Sequence, residues 1–139
     1  MYDKSIVAHS ISPFIDLKLV TETVEKALEL VPYEQRQNLI LHSDQGWHFT
    51  NLQYRNLLSD NGITQSISAK GSSVDNVPIE SFFSILKSEC IYLIDNLYKR
   101  DIETVVNNLI NYYNNERLQE KIIELTPIQF RELTLSASF

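Results

Sequence analysis

Residues 41–46, LHSDQG, end an apolar run with an aspartate and decide the predicted fold. Leu39 and Ile40 precede them, and a short apolar run bounded by polar residues and a glycine is typical of a buried strand, here predicted over 38–43. Asp44 is therefore expected at the tip of that strand. A carboxylate in this position is either a turn residue or a metal-binding catalytic group, and this stretch leaves both interpretations open.

Strands and helices alternate along the rest of the chain. Asp16, Thr50 and Thr126 are expected helix N-caps, with Gln53 completing a capping box at Thr50. The alternation favours one α/β layered domain with a single core. β-Prone runs predict strands over 5–11, 38–43 and 63–68, and apolar side chains at helical spacing predict helices over 17–31, 50–61, 78–94 and 102–116, with a last short helix after 126.

The second informative stretch is DNVPIESFF, residues 75–83. Pro78 suits the first turn of a helix, because its missing N–H costs nothing there. Glu80 lies on the same turn, where the helix dipole favours a carboxylate. Ser84 and Lys87 follow at four and seven residues, so these three side chains share one helix face, suited to the floor of a cleft.

Composition places the chain among ordinary globular proteins: 43% of its 139 residues are hydrophobic and 22% are charged. The net charge is −6, whereas nucleic-acid binders usually carry a basic face. Any contact with DNA then needs a local patch, metal ions or another segment. No apolar run reaches the ~18 residues of a membrane span, no signal peptide is visible, and Cys90 is the single cysteine, so we expect a cytoplasmic protein without a membrane partner.

Three motifs in order give the chain a family resemblance: LHSDQGWHFTN, ITQSISAKGSSVDNVPIESFFSILKSE and NYYNNERLQEKIIELTPIQFREL. Together with the 35 residues between Asp44 and Glu80, they resemble the C-terminal portion of the integrase catalytic core of bacterial insertion-sequence transposases, in the retroviral-integrase-like DDE family. The resemblance covers about residues 2–133. It implies an RNase H-like α/β fold and DNA transposition by metal-dependent strand cleavage and transfer.

The resemblance also implies the residues of the site. Asp44 and Glu80 would be two of three catalytic carboxylates and would ligate Mg²⁺ or Mn²⁺. Lys87, Lys70 and Asn76 would contact DNA. The implied partners are the DNA ends of the element, target DNA and further transposase protomers in a homo-oligomer.

The chain departs from the family at its beginning. MYDKSIVAHS resembles the turn after the second strand and then the third strand, so the first strand with its catalytic aspartate is absent, and neither Asp3 nor Asp16 replaces it. We expect a truncated fold without its first two strands, with a core over about 5–116 and a helical tail over 117–139. Weak or absent metal binding, little cleavage by the chain alone, and a dimer or aggregate are expected, with strand 5–11 pairing either with 38–43 or with a second protomer.

Two other functions stay open. One is a catalytically inactive transposase remnant that acts only through protein association, which the missing aspartate and the acidic charge favour. The other is a metal-dependent nuclease of the same fold, against which the transposase-like NNERLQEK tail argues. Among single residues, His42 is expected to be a hydrogen-bonded structural histidine, and Trp47 a packing residue instead of a base-stacking platform.

Overall fold

The computed structural model describes residues 3–69, 77–93 and 99–137, and the chain divides into two compact units. One, the strand unit, comprises Val7–Val77. The other, the helical unit, comprises Met1–Ile6 together with Pro78–Phe139. Each unit has its own cluster of buried apolar side chains. The predicted boundary between a core and a tail near residue 116 stays a prediction.

In its described residues, the strand unit holds two parallel strands, the two helices that connect them and two helices that precede them. The strands are β1 (Ile40–Ser43) and β2 (Thr64–Ile67), paired in register from Ile40 opposite Thr64 to Ser43 opposite Ile67. Parallel neighbours require a crossover connection, which helices supply here. The helices of this unit are α1 (Leu17–Glu29), α2 (Tyr33–Arg36), α3 (Trp47–Thr50) and α4 (Leu52–Asp60).

Local capping signals place α1 and α4. The Asp16 carboxylate accepts a hydrogen bond from the Leu19 amide at 2.9 Å, as the sequence predicts. The Arg36 guanidinium donates to carbonyls at the end of α1 and, at 2.7 Å, to Asn61 at the end of α4. Gly62 then adopts a φ of +71°, which confirms the predicted helix stop. Arg36 therefore links the end of α1 to the end of α4, the helix that leads into β2.

Buried side chains of α1 and α4 form the core of the strand unit. Tyr54 and Leu58 of α4 are 0% and 1% exposed, and Phe49 packs its ring edge-to-face on Tyr54 with centroids 5.4 Å apart. Burial raises the pKa of the Tyr54 hydroxyl to about 12, and within the described residues this hydroxyl has no hydrogen-bond partner. The other buried members of this core are Val24, Leu28 and Ile63.

The predicted strand over 5–11 is wrong. The Asn114 side chain takes both backbone groups of Ile6, donating to its carbonyl and accepting from its amide at 2.9 Å. In the strand unit, Lys26 donates to the His9 carbonyl and the Ser10 hydroxyl. Because side chains satisfy part of this backbone, no strand neighbour is required. The predicted pairing of this segment with 38–43 is also wrong, since in the described sheet β1 pairs with β2.

Two helix boundaries also differ from the prediction. Thr50 does not cap α4, because its hydroxyl donates to the Trp47 carbonyl within α3, and the Asn51 side chain accepts from the Gln53 amide instead. The helix predicted over 78–94 ends earlier. It is α5 (Val77–Glu89), followed by a 3₁₀ turn at Ile91–Leu93.

The helical unit packs α5 with α6 (Lys99–Asn115) and α7 (Pro127–Ser136). Its buried cluster consists of Phe82, Val106, Ile110 and Tyr113. Thr126 and Gln129 form a capping box at α7, extending the predicted cap. No helix of the described residues combines the length and the apolar character that a membrane span needs.

Residues 3–5, at the start of the helical unit, are hydrogen-bonded to α7. The Arg131 guanidinium donates to the Asp3 carboxylate at 2.5 Å and also to the Ser5 hydroxyl. Burial alone would raise the pKa of Asp3, but the hydrogen bonds from Arg131 and Ser5 outweigh it and the pKa is lowered. Asp3 is therefore engaged in a structural contact within the helical unit.

Candidate active site

Asp44 lies directly after β1 and is exposed to solvent. The Gly46 amide donates to its Oδ1 at 2.7 Å, which closes an Asx turn. Within the described residues, no hydrogen bond or ion pair engages Oδ2. The turn interpretation of Asp44 is therefore right for one oxygen, while the other remains able to bind a ligand.

Gly46 allows the carboxylate to lie against the backbone. A Cβ at this position would stand 2.9 Å from Asp44 Oδ1 and 3.3 Å from the Phe49 ring. The first distance is shorter than a real carbon atom tolerates, so a larger residue would displace the carboxylate. The glycine in the DQG stretch thus sets where Asp44 points.

His42 is structural, as predicted. Its Nδ1 lies 2.9 Å from the Ser66 hydroxyl, and its Nε2 lies 2.8 Å from the Ser68 hydroxyl. Ser68 also donates its amide to the Ser43 carbonyl and accepts from the Gln45 side chain at its own carbonyl. Both ring nitrogens are engaged, so His42 acts as a link between β1 and the end of β2. Ser68 and Gln45 were not predicted, because their pairing depends on the register of the sheet.

Glu80 lies in the first turn of α5 and is exposed, as are Ser84 and Lys87 on the same helix. Lys87 takes part in none of the ion pairs that the structure describes. A lysine of this kind can bind a phosphate without first leaving an internal partner. Two further predicted DNA contacts, Lys70 and Asn76, lie outside the described residues.

The predicted metal ligands are distributed over both units. Asp44 belongs to the strand unit and Glu80 to the helical unit, so their shared use stays a prediction. Among the described residues, no three or more His, Cys, Asp or Glu side chains form a group that could hold a metal. Exposed carboxylates are nevertheless the oxygen donors that Mg²⁺ and Mn²⁺ prefer, with water and phosphate completing the coordination. Each of these two carboxylates, taken by itself, has the donor chemistry that a divalent metal prefers.

Trp47 contradicts its sequence prediction. It was expected to be a packing residue, yet it is 58% exposed. Its ring lies against the His48 ring, with centroids 3.9 Å apart and the planes 33° from parallel. The sequence did contain one indication of this exposure: Trp47 directly follows a polar turn and a glycine and is not part of a helical repeat of apolar residues.

Comparison with known families decides the identity of the chain. The pattern of the family described as Integrase core domain matches residues 1–73, more than half of the chain. The chain belongs to the integrase core family. A second pattern with the same description matches residues 80–135, so Asp44 lies in the first matched segment and Glu80 begins the second.

Curated relatives of this integrase core are transposases by name. The protein named transposase InsK for insertion sequence element IS150, from Escherichia coli K12, is 36% identical over 135 residues, which are 96% of this chain and 47% of that protein. A transposase-like protein of Haemophilus influenzae is 34% identical over 98% of this chain and 62% of its own length. Transposase InsF for insertion sequence IS3A of E. coli K12 is 30% identical over 98% of this chain and 47% of that protein.

These matches confirm the resemblance to the integrase core of bacterial insertion-sequence transposases. An integrase core implies an RNase H-like fold, and the mixed helices and parallel strand pair agree with part of it. The family generally uses divalent metals. The chain spans about half to three fifths of the length of the curated relatives named here.

Proposed function

We propose that this integrase core serves in DNA transposition, with Asp44 and Glu80 as catalytic carboxylates that bind Mg²⁺ or Mn²⁺. The observation that carries the proposal is the Asx turn at the end of β1, which orients Asp44 and leaves Oδ2 available. The family match and the transposase relatives support the reaction class. Such metal ions, when bound, activate a nucleophile and stabilise the leaving oxygen of a phosphodiester.

The chain's own residues have separate parts in this proposal. The Gly46 amide holds the Asp44 carboxylate in one orientation, which reduces the cost of ordering it when a ligand binds. Lys87 offers an exposed ammonium group for a DNA phosphate, and Lys70 and Asn76 are proposed as further DNA contacts. Because the net charge is −6, affinity for DNA must come from these local contacts and from metal ions.

The proposed architecture is an RNase H-like domain with a core over about 5–116 and a helical tail over 117–139. The parallel strand pair of the described residues and the match to the integrase core pattern support the RNase H-like fold. The partners proposed are element-end DNA, target DNA and further transposase protomers. Because Asp44 and Glu80 are two of the three carboxylates proposed, we expect little or no DNA cleavage by the chain alone.

A purified-chain experiment tests the metal site. Millimolar Mn²⁺ should raise the melting temperature, because a ligand that binds the folded state stabilises it, by about 1.4 kcal/mol at ten times its Kd. Asp44→Asn and Glu80→Gln should each remove most of this shift. Asp60→Asn, which changes an exposed aspartate at the end of α4, should keep it. A shift that survives in both Asp44→Asn and Glu80→Gln would place the metal elsewhere.

In the sheet of the described residues β1 pairs only with β2, which favours a second function, association with other protomers. The Leu39 and Ser43 carbonyls accept hydrogen bonds from the β2 side. Alternate residues of a strand face the same neighbour, so Ile40 and His42 direct their backbone groups to the other edge. Ile40 is also 70% exposed, although the apolar run predicted a buried strand. An exposed apolar edge of this kind invites pairing with another chain.

Sedimentation at micromolar concentration measures this association. We expect the chain to form dimers or larger species and Ile40→Lys to shift it toward monomer, since a lysine on a strand edge opposes pairing. Leu52→Lys, at a residue 69% exposed on α4, is the matched control and should associate as the unsubstituted chain does. A monomeric unsubstituted chain would exclude the association function.

A further inference from the structure

Trp47 is the single tryptophan of the chain and lies three residues after Asp44. Tryptophan offers one of the largest apolar surfaces of any side chain, and folded proteins cover most of it. Here 58% remains exposed, at the first position of α3. The ring is therefore a surface feature beside the proposed catalytic turn.

The ring contact described for Trp47 is with its sequence neighbour His48 and leaves the indole mostly exposed. His48 stacks against the ring, and its Nε2 lies 3.3 Å from the Ile15 carbonyl. The segment that His48 contacts is itself exposed, with Phe14 and Ile15 at 71% and 79%. A tryptophan side chain has only two torsions, so it loses little conformational entropy when a flat partner stacks on it.

The same turn orients Trp47 and the Asp44 carboxylate. The Gly46 amide that donates to Asp44 Oδ1 belongs to the residue immediately before Trp47, and the Gly46 carbonyl accepts the first backbone bonds of α3. Any displacement of this turn moves both side chains. A substrate strand that reaches Asp44 therefore reaches the turn that carries the indole.

We propose that Trp47 stacks on an unpaired nucleobase next to the phosphate at which Asp44 acts. This inference rests on the proposed function, because DNA is the occupant only if Asp44 serves a DNA reaction. Stacking acts through the π-face of a base, so its contribution does not depend on the chain's net charge of −6. Aromatic platforms bind single-stranded bases in this manner, and every base offers a π-face.

The intrinsic fluorescence of the chain tests the inference directly, because all tryptophan emission comes from Trp47. Titration with a short single-stranded oligonucleotide in EDTA should quench this emission. Binding of a fluorescein-labelled copy, followed by anisotropy, should weaken by about 5- to 150-fold in Trp47→Ala. Trp47→Phe should stay within a few-fold of the unsubstituted chain, because phenylalanine keeps a stacking face.

Leu52→Ala is the matched control, an apolar truncation at a residue 69% exposed in the same unit, and should leave the anisotropy curve unchanged. Melting temperatures of all variants check that they are folded. Binding without quenching, equal binding by Trp47→Ala, or no binding of the oligonucleotide would each overturn the inference. None of these outcomes alters the Mn²⁺ shift and its dependence on Asp44 and Glu80, so failure of the proposed function would be recognised separately.

Discussion

Asp44→Asn should lower DNA cleavage by roughly a thousandfold or more in a chimaera of InsK in which this chain replaces the matching 47% of that protein. Asparagine keeps an oxygen that can accept the Gly46 hydrogen bond, so the turn should survive. What disappears is the negative charge that a divalent cation needs. The loss then reports on metal-dependent chemistry and not on local folding.

Matched substitutions in this chimaera distinguish loss of a metal ligand from loss of any surface negative charge. Glu80→Gln should reduce cleavage as strongly as Asp44→Asn, whereas Asp60→Asn and Glu103→Gln, at exposed acids on α4 and α6, should cleave as the unsubstituted chimaera does. Joined products as well as cut products indicate a transposase, and cutting without joining would favour the nuclease alternative. Cleavage by Asp44→Asn within tenfold of the reference would refute the role of this carboxylate.

Leu58→Ala should destabilise the strand unit by about 2–5 kcal/mol, because it removes a fully buried side chain and leaves a cavity against Tyr54. Domains of this size are stable by only about 5–15 kcal/mol in total. Urea unfolding followed by Trp47 fluorescence measures the change, since Trp47 lies in the same unit.

Leu52→Ala removes the same atoms from the same helix at a residue that is 69% exposed, and it should change the free energy of unfolding by less than about 0.5 kcal/mol. Equal effects of Leu58→Ala and Leu52→Ala would mean that α4 does not pack through the face that carries Tyr54 and Leu58.

Structural features that depend on a few neighbouring residues were predictable from the sequence. Asp16 before an amphipathic run, Gly62 after one, and Thr126 followed by proline each identify a helix end through local hydrogen bonds or backbone freedom. The strand over 5–11 was not predictable in this way. A β-prone segment becomes a strand only beside a partner, and here the Asn114 side chain binds Ile6 from another part of the chain.

The features of the candidate site also fall into those that the sequence could predict and those that it could not. The positions of Asp44 at a strand end and of Glu80 in the first turn of a helix were predictable from local signals. Their joint role, which rests on a spacing that resembles a known family, stays a prediction. The exposure of Trp47 could not be predicted in this way, since burial depends on which elements pack over a residue. The hydrogen bonds of His42 to Ser66 and Ser68 likewise require the register of β1 against β2.

Paramagnetic broadening by Mn²⁺ in the NMR spectrum of the chain tests the central claim, that Asp44 and Glu80 bind one ion. The method detects weak as well as tight binding. The account predicts that amide signals of 43–46 and of 79–81 broaden at the same substoichiometric Mn²⁺ concentration, and that Asp44→Asn abolishes the broadening at both. Broadening at one segment only, or unchanged broadening near Glu80 in Asp44→Asn, would contradict a shared metal.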